Sequence, residues 1–496
     1  MQRDARAASG EAFDVVVVGG GNAGFSAAHA AAERGRRVLL LEKGPAAEAG
    51  GNSYYTAGAF RIAHDGLGDL ADLLDPDARH AVSVLPSYSA AQFAGDMAKV
   101  TGDRNDKALT EVLIGQSAAT LRWLHGKGLR FRLMYERQAY PDGDGRQVFW
   151  GGLAVGSTGG GKGLIEQHTG AARQAGVEIR YGVRARELTL EDGHVTGVTW
   201  EDTEGGSGTV RADSVVLAAG GFEANADMRR DHLGEGWQLA KVRGTPHNTG
   251  DMLAAAIAAG AGTYGDWGTC HSVAWDAWHK ENESNRELTN QLTRGGYPLG
   301  VVVNAEGRRF LDEGADFRNL TYAKYGARIL AQPGGLAFQL FDATTRPELR
   351  VEEYDMPGAS VVTADTIDEL AAGMGVEASA LRATIEEFNA SIDRSVPLDL
   401  SVLDGRASAM TPPKSNWAIP LERPPYYAFP VTCGITFTFG GLRADTHGRV
   451  LREGGEPIPG LFVCGEMLGG LFSGNYPGGT GLTSGAVFGR RAGALA

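Results

Sequence analysis

The chain of 496 residues contains only three cysteines, Cys270, Cys433 and Cys464, and no two of them form a CxxC pair. Disulfide frameworks, zinc sites, iron–sulfur clusters and c-type haems all need cysteines at closer spacing. The sequence lacks the ligands for each of these, so we expect no metal site and a reducing, cytoplasmic environment.

Positive charge is also scarce, since 47 Lys and Arg oppose 60 Asp and Glu, the formal net charge is −13, and no run of five basic residues occurs. Such a chain repels a phosphate backbone, so nucleic acid is not an expected partner. A few converging arginines can still bind an anionic substrate. The first 12 residues lack an apolar core and no run of 18 apolar residues follows, so we expect a soluble protein without a transmembrane segment.

Glycine, in contrast, is abundant. It accounts for 73 of the 496 residues, about twice its usual share of about 7%, without the periodicity of collagen. Glycines in such numbers serve tight turns and close backbone approaches. The length allows two or three domains with a large core. This composition is typical of a nucleotide-binding enzyme.

The chain begins with a predicted β-α-β unit. The apolar run over 13–18 predicts a buried strand, 23–34 a helix of small residues, and 38–41 a second strand. A turn of four consecutive small residues joins the first strand directly to the helix. This arrangement is the structural context in which a glycine-rich dinucleotide fingerprint carries meaning.

The fingerprint G-x-G-x-x-G stands in this turn at Gly19, Gly21 and Gly24, and Glu42 ends the second strand near the position of a ribose-binding acid. Gly19 permits the turn, and Gly21 lets backbone N–H groups approach a pyrophosphate. Gly24 lets the helix pack close to the strand with its positive end toward the phosphates. The segment therefore predicts a dinucleotide site.

Further periodic segments follow along the chain. They predict helices over 110–127, 164–174 and 378–392, and strands over 177–190, 195–200 and 461–464. The run over 215–222 predicts a further strand that breaks into glycine.

The amino-acid composition changes in the middle of the chain, where Trp, Tyr, Asn and Pro become more frequent. Towards the end of the chain it again resembles that of the first part. We predict an α/β fold with a Rossmann-like dinucleotide-binding domain built from both chain ends, residues 12–268 and 433–496. An α+β capping domain, residues 269–432, is inserted between them.

Four motifs in order resemble the flavoproteins of the fumarate reductase and succinate dehydrogenase superfamily, over residues 13–493. They are the fingerprint, Gly50-Gly51-Asn52-Ser53, Asn304-Ala305-Glu306-Gly307-Arg308-Arg309-Phe310, and Pro459-Gly460-Leu461-Phe462-Val463-Cys464-Gly465-Glu466. Within the superfamily, residues 58–61, 316–326, 465–472 and 474–479 look most like the tricarballylate dehydrogenase group.

The resemblance implies FAD as the cofactor. In membrane-bound relatives a histidine near this Gly-Gly binds the flavin covalently, but residues 53–58 contain none and His64 lies too far along, so we expect non-covalent FAD. A helix beginning near 480 resembles the one whose positive end stabilises the anionic reduced flavin. The resemblance implies cofactor contacts at Gly19, Gly21, Asn22, Ala23, Gly24, Glu42, Lys43, Gly51, Asn52, Ser53, Ala57, Gly58, Ala219, Gly220, Asp251, Glu466, Gly481, Leu482 and Thr483.

The resemblance also implies catalytic residues. Arg318 matches the arginine that transfers the proton in fumarate reductases, and His271 matches a histidine that binds substrate. Desaturation of an acid needs a proton acceptor, a hydride acceptor and cations that stabilise the enolate-like charge. Because arginine is nearly always protonated, residue chemistry alone assigns Arg318 to carboxylate binding.

Three positions depart from the fumarate reductase pattern. The second histidine is replaced by Thr436, and the second substrate arginine by Tyr476. A glutamate of the proton relay falls on Gln291, although Arg294 matches its arginine. These changes favour a larger or less charged acid than fumarate, because tight binding of two small carboxylates needs bidentate cations.

Tyrosine beside Pro-Gly-Gly also resembles the 3-ketosteroid dehydrogenases, in which tyrosines polarise a ketone and remove a proton. Tyr476 is the residue that matches this pattern, followed by Tyr297 and Tyr322. A ketone-directed desaturase therefore remains an alternative.

We predict an FAD-dependent dehydrogenase of a small polycarboxylic acid, similar to tricarballylate, that forms a C=C bond. The catalytic residues are Arg318, His271, Tyr476 and Thr436. Electrons then pass to an unidentified acceptor, either a quinone, a redox protein or oxygen. Besides the ketone-directed enzyme, a fumarate-reductase-like ene-reductase and a partner-dependent electron-transfer subunit remain alternatives.

Overall fold

The computed structural model describes residues 11–142, 144–281 and 284–496. Its strands are β1 (Ala12–Val18), β2 (Val38–Glu42), β3 (Ala59–Phe60), β4 (Ser83–Val84), β5 (Phe131–Leu133), β6 (Ala139–Pro141), β7 (Gln147–Phe149), β8 (Val155–Ser157), β9 (Glu178–Tyr181), β10 (Val183–Glu191), β11 (His194–Asp202), β12 (Ser207–Leu217), β13 (Lys241–Val242), β14 (Thr263–Tyr264), β15 (Cys270–Asp276), β16 (Val301–Asn304), β17 (Ala337–Phe341), β18 (Val362–Ala364), β19 (Tyr426–Thr438), β20 (Gly441–Leu442), β21 (Arg449–Leu451) and β22 (Pro457–Val463).

The α-helices are α1 (Asn22–Glu33), α2 (Gly51–Tyr54), α3 (Ala90–Thr101), α4 (Lys107–Gly126), α5 (Tyr135–Gln138), α6 (Gly160–Gln174), α7 (Ala226–Leu233), α8 (Asp251–Ala258), α9 (Arg318–Leu330), α10 (Val351–Tyr354), α11 (Ile367–Met374), α12 (Ala378–Ser391) and α13 (Thr480–Leu495). No helix in the described residues is both long enough and apolar enough to cross a bilayer.

The larger sheet has eight strands and a parallel centre. Strands β1 and β2 are almost continuously apolar and buried, as expected for strands covered on both faces. The order is β10-β11-β12-β1-β2-β9, and β22 adds in parallel to β12. Since β22 comes from the end of the chain, both chain ends build this sheet. The predicted mixed α/β architecture is confirmed.

One predicted strand, over 177–190, was wrong in its continuity. It is two strands, β9 and β10, which end and begin on either side of Gly182. Gly182 has φ +69°, a conformation that favours glycine. The chain therefore turns there, so that β9 pairs with β2 in parallel while β10 pairs with β11 in antiparallel fashion.

The second sheet has six strands, in the order β13-β19-β17-β16, with β15 and β18 also paired to β19. The long strand β19 runs across the predicted boundary at 432/433, and β13 precedes the predicted boundary at 268/269. The division into 12–268, 269–432 and 433–496 stays a prediction.

Helix α9 packs on β15 with very close backbones. A Cβ at Gly326 would lie 2.6 Å from the backbone of Ser272 and Val273, so glycine is required at this crossing. The contact fixes the beginning of α9, Arg318, with respect to His271 on β15. Two predicted catalytic residues thus owe their relative position to one glycine.

Helices α1 and α13 are held together in the same way. A Cβ at Gly489 would lie 2.4 Å from the Ala23 carbonyl oxygen, and one at Gly493 would lie 2.0 Å from the Ala27 carbonyl oxygen. Glycine at these positions lets the two helices approach backbone to backbone. Their N-termini consequently open onto the same cleft.

Candidate active site

One cleft is lined by residues of both sheets. All the predicted catalytic and cofactor residues line it except Gly24, Gly58 and Thr483.

Those three residues lie behind the cleft wall. A Cβ at Gly24 would lie 1.9 Å from the Gly19 carbonyl oxygen, and one at Gly58 would lie 2.1 Å from Ser157 Oγ. The Thr483 hydroxyl donates a hydrogen bond to the Arg61 carbonyl oxygen at 2.9 Å. Of these contact partners, only Gly19 lines the cleft.

One end of the cleft has the features of a dinucleotide site. Gly19 has φ +110°, and a Cβ there would lie 2.2 Å from the Ala218 carbonyl oxygen. The Glu42 carboxylate accepts hydrogen bonds from the backbone N–H groups of Gly20 and Gly44, both at 2.8 Å. Burial raises the pKa of Glu42. The acid expected to bind a ribose is thus held rigidly at the end of β2.

Two helix N-termini meet at this end. The first N–H groups of a helix have no partner within the helix and attract phosphates. Asn22 begins α1. Its backbone N–H donates a hydrogen bond to Ser53 Oγ at 3.0 Å, and its Nδ2 donates one to the Leu482 carbonyl oxygen at 2.8 Å. Asn22 therefore ties α1 to the first turn of α13. The two donors of Asn22 are therefore engaged within the protein.

Asp251 is a supporting residue at the same end. Its carboxylate binds Lys43 Nζ and Arg184 Nη2, both at 2.7 Å. Burial alone would raise the pKa of Asp251, but the hydrogen bonds from Lys43 and Arg184 lower it. Asp251 thus stays ionised and orients two cations, as expected for a structural position of the flavin domain.

Predicted catalytic residues gather at the other end. His271 is buried, and neither of its ring nitrogens has a hydrogen-bond partner in the described residues. Its ring stacks on Phe437, with centroids 5.1 Å apart. Burial, and then the charge of Arg243, lower the pKa of His271 well below its usual value. The imidazole is therefore neutral and has one donor and one acceptor free for a ligand.

Arg318 begins α9 and is only 7% exposed. In the described part of the chain its guanidinium has no acid within 4.0 Å, and Nε has no hydrogen-bond partner. Burial, and then the charge of Arg350, lower the pKa of Arg318 to about 10. Its charge is therefore both buried and unpaired.

The nearest acid to this group is already engaged. Glu353 is fully buried and contacts Arg137 at 3.1 Å and Arg350 at 3.2 Å. Burial alone would raise the pKa of Glu353, but the arginines, Arg350 and Arg137 first, hold it at about 2. Glu353 therefore forms its ion pairs with two other cations and acts on Arg318 only from beyond ion-pair distance.

Tyr476 and Tyr322 face each other beside His271, with hydroxyl oxygens 2.6 Å apart. Burial, and then Tyr322, raise the pKa of Tyr476 well above its usual value. Tyr297 does not line the cleft, and its hydroxyl pairs with Thr321 Oγ1 at 2.7 Å. The structure therefore brings together two of the three tyrosines considered for ketone chemistry.

The positions of the fumarate reductase relay lie elsewhere. Arg294 is fully buried and contacts Asp276 at 2.5 Å. Neither Arg294 nor Gln291 lines the cleft. In their place, the arginines around Glu353 reach the cleft at Arg137 and Arg318.

Sequence reasoning missed Arg243. Its Nη1 donates to Thr436 Oγ1 at 2.9 Å, so a cation stands beside the threonine that replaces the family's histidine. Arg243 follows the two-residue strand β13 and belongs to no motif. The pairing of β13 with β19 brings Arg243 to Thr436, and no local sequence pattern predicts that pairing.

Comparison with known proteins agrees with this geometry. A family model described as FAD binding domain matches residues 14–482. The chain therefore belongs to this family of flavoproteins, and the predicted FAD cofactor is confirmed.

Two relatives and one solved structure define the likeness further. The chain is 29% identical over 500 residues to a probable fumarate reductase of Shewanella frigidimarina (strain NCIMB 400), covering 99% of this chain and 76% of that protein. It is 26% identical over 554 residues to a 3-oxosteroid 1-dehydrogenase of Mycobacterium tuberculosis (strain ATCC 25618 / H37Rv), covering 94% of each. The open conformation of a flavocytochrome c3 fumarate reductase matches with a TM-score of 0.72 and 28% identity, over 98% of this chain and 78% of that one.

The predicted membership of the fumarate reductase and succinate dehydrogenase superfamily is thus confirmed. The protein is an FAD-dependent oxidoreductase that acts on CH–CH bonds. The nearer likeness to the tricarballylate dehydrogenases stays a prediction.

Proposed function

We propose that the protein is a dehydrogenase that removes a proton and a hydride from adjacent carbons of a small polycarboxylic acid, similar to tricarballylate. The observation that carries this proposal is the buried guanidinium of Arg318, which lines the cleft without an acidic partner in the described residues. A buried charge is costly unless it is paired. A substrate carboxylate supplies that partner through a charge-assisted, bidentate contact.

FAD, when bound, accepts the hydride. The residues of this chain bind the acid and receive the proton. The two roles need different protonation states of Arg318. The charged form pairs with the carboxylate, whereas the neutral form, which a pKa of about 10 makes more accessible than in an exposed arginine with its pKa above 12, is the one that accepts the proton. The proton leaves the carbon next to the carboxylate, the hydride leaves the neighbouring carbon, and the C=C bond forms between them.

The surrounding residues assist this chemistry. Neutral His271 has a free N–H that can donate to a substrate oxygen. The aromatic rings of Phe437 and Tyr476 pack against it, at centroid distances of 5.1 and 4.9 Å. They exclude water from this wall and so strengthen the electrostatic contacts of the bound acid.

An anaerobic titration of the oxidised holoprotein tests the proposal. We expect tricarballylate to bleach the visible absorption of the flavin, and a 3-ketosteroid to leave it unchanged. Succinate, added separately, reports whether two carboxylates suffice. Absence of bleaching by tricarballylate and succinate, with FAD bound, overturns the proposal.

A second candidate is a ketone-directed desaturase, favoured by the pair of hydroxyls on Tyr322 and Tyr476, 2.6 Å apart. Two such hydroxyls can polarise a carbonyl oxygen, and one of the relatives is a 3-oxosteroid 1-dehydrogenase. Bleaching by a 3-ketosteroid alone in the titration above supports this candidate instead.

We also infer that the FAD is bound without a covalent link. Residues 53–58 contain no histidine. His64 does not line the cleft, and its Nδ1 accepts a hydrogen bond from the Gly66 N–H at 3.1 Å. Acid precipitation is expected to leave all of the flavin in the supernatant. Yellow colour retained in the washed pellet contradicts the inference.

A further inference from the structure

Arg243 is held in the cleft wall by its backbone. Strand β13 pairs in parallel with β19, and the Arg243 N–H donates to the Ile435 carbonyl oxygen at 2.8 Å. The next residue is glycine, and a Cβ at Gly244 would lie 2.1 Å from Asn52 Oδ1. That same oxygen accepts a hydrogen bond from the Thr245 N–H at 2.8 Å. The backbone on both sides of Arg243 is therefore fixed.

The side chain is held by neutral groups alone. Nη1 donates to Thr436 Oγ1 at 2.9 Å, and Nε donates to Thr293 Oγ1 at 3.1 Å. Among the residues that the structure describes, Arg243 has no acid within ion-pair distance, and its Nη2 has no hydrogen-bond partner. Hydroxyl groups orient a guanidinium but cannot balance its charge.

The environment of Arg243 explains why this charge needs a partner. Arg243 is half-buried, and the burial of its guanidinium lowers its pKa, while Tyr322 and Tyr476 oppose that shift. Arg243 lines the same cleft as Arg318 and the neutral His271. Two guanidinium groups without acidic partners therefore face one site, and a ligand with a single carboxylate leaves one of them unpaired.

We propose that Arg243 binds a second carboxylate of the substrate, while Arg318 binds the first. This inference rests on the proposed function and names the residue that binds the second carboxylate of the polycarboxylic acid. It also bears on Thr436 and Tyr476, which replace a histidine and an arginine of the fumarate reductase pattern. The second cation is supplied from another strand, and Thr436 holds it in place.

Binding of two matched ligands to the oxidised holoprotein tests the inference. Fumarate and crotonate have the same four carbons and the same trans double bond, but crotonate carries a methyl group in place of one carboxylate. Neither can donate a hydride to the flavin by forming this double bond. Affinities follow from calorimetry and from the change in the flavin spectrum, so no turnover is needed.

We expect the wild-type protein to bind fumarate at least about tenfold more tightly than crotonate, because the second carboxylate forms a charge-assisted pair with a half-buried guanidinium. Arg243→Gln should lower the fumarate affinity to near that of crotonate and change the crotonate affinity by less than about threefold. Arg243→Lys retains the positive charge and should therefore keep part of the preference for fumarate. The rest should be lost, because an ammonium lacks the planar fork of the guanidinium.

Arg286→Gln is the matched control. Arg286 stacks on Tyr54, with Cζ 3.4 Å from the ring centroid, and it does not line the cleft. Its loss removes one positive charge but should leave the preference for fumarate unchanged.

Two outcomes separate the claims. Tight fumarate binding that survives in both Arg243 variants overturns the role of Arg243 and leaves the proposed function standing. If the wild-type protein binds neither acid and tricarballylate does not bleach the flavin, the proposed function itself falls, and this inference with it.

Discussion

Replacing Arg318 by alanine is expected to lower turnover of tricarballylate by about a thousandfold or more, since one substitution removes a carboxylate partner and the proton acceptor. The side chain donates no hydrogen bond to the described protein, and it forms no ion pair there. Folding and FAD content should therefore change little. The measurement is steady-state kcat and KM beside the ratio of flavin absorbance to protein.

The pH profile separates the two roles of Arg318. Its pKa of about 10 lies below the usual value for arginine, so the neutral base is the minor form at pH 7 and gains about tenfold per pH unit. We expect kcat/KM, which reports the free enzyme, to rise from pH 7 to about pH 9.5 in the wild-type enzyme. Arg318→Lys, as the matched control, should keep much of the substrate binding and displace this profile.

Two results contradict this assignment. A kcat/KM that is independent of pH over that range excludes Arg318 as the proton acceptor. Turnover that survives Arg318→Ala but is lost in Tyr476→Phe supports the ketone-directed reaction, in which the hydroxyl pair of Tyr476 and Tyr322 acts on the substrate.

Gly24→Ala is expected to lower the FAD content of the purified protein at least about tenfold. A Cβ at Gly24 would lie 1.9 Å from the carbonyl oxygen of Gly19, and both partners are backbone, so no side chain can move aside. Helix α1 must shift away from the glycine turn, which displaces the N–H groups that are expected to face the pyrophosphate. The flavin-to-protein ratio after purification measures this effect.

The control for this variant is Gly115→Ala in the middle of α4. A Cβ there meets no atom within 4 Å, so this variant should bind FAD normally. Its free energy of unfolding should rise by about 0.5–1 kcal/mol. Full FAD content in Gly24→Ala, with a melting temperature equal to that of the wild-type protein, contradicts the packing argument.

Local sequence patterns were sufficient for the cofactor end of the site. The fingerprint glycines and Glu42 lie within one β-α-β unit, so their relative positions follow from the geometry of two strands and one helix. The same holds for α4, α6 and α12, whose periodic apolar faces predicted them. The prediction of one strand over 177–190 was wrong because the chain turns at Gly182. The two strands on either side of this residue, β9 and β10, pair with different partners.

The resemblance to a family predicted which residues would meet at the substrate end. Arg318, His271, Thr436 and Tyr476 were named in advance, and all four line one cleft. Their assignment to catalysis stays a prediction. What the resemblance could not supply was their protonation, because burial and the neighbouring charges set the pKa of His271 and Arg318.

The sequence by itself determined the fold class, the FAD cofactor and the side chains that stand at matching family positions. Only the tertiary structure decided which charges remain unpaired. Arg243 reaches Thr436 through the pairing of two strands almost two hundred residues apart, and Glu353 is engaged by Arg137 from a distant helix. Such contacts carry no local pattern, since they arise where separate elements pack together and exclude water from the charges between them.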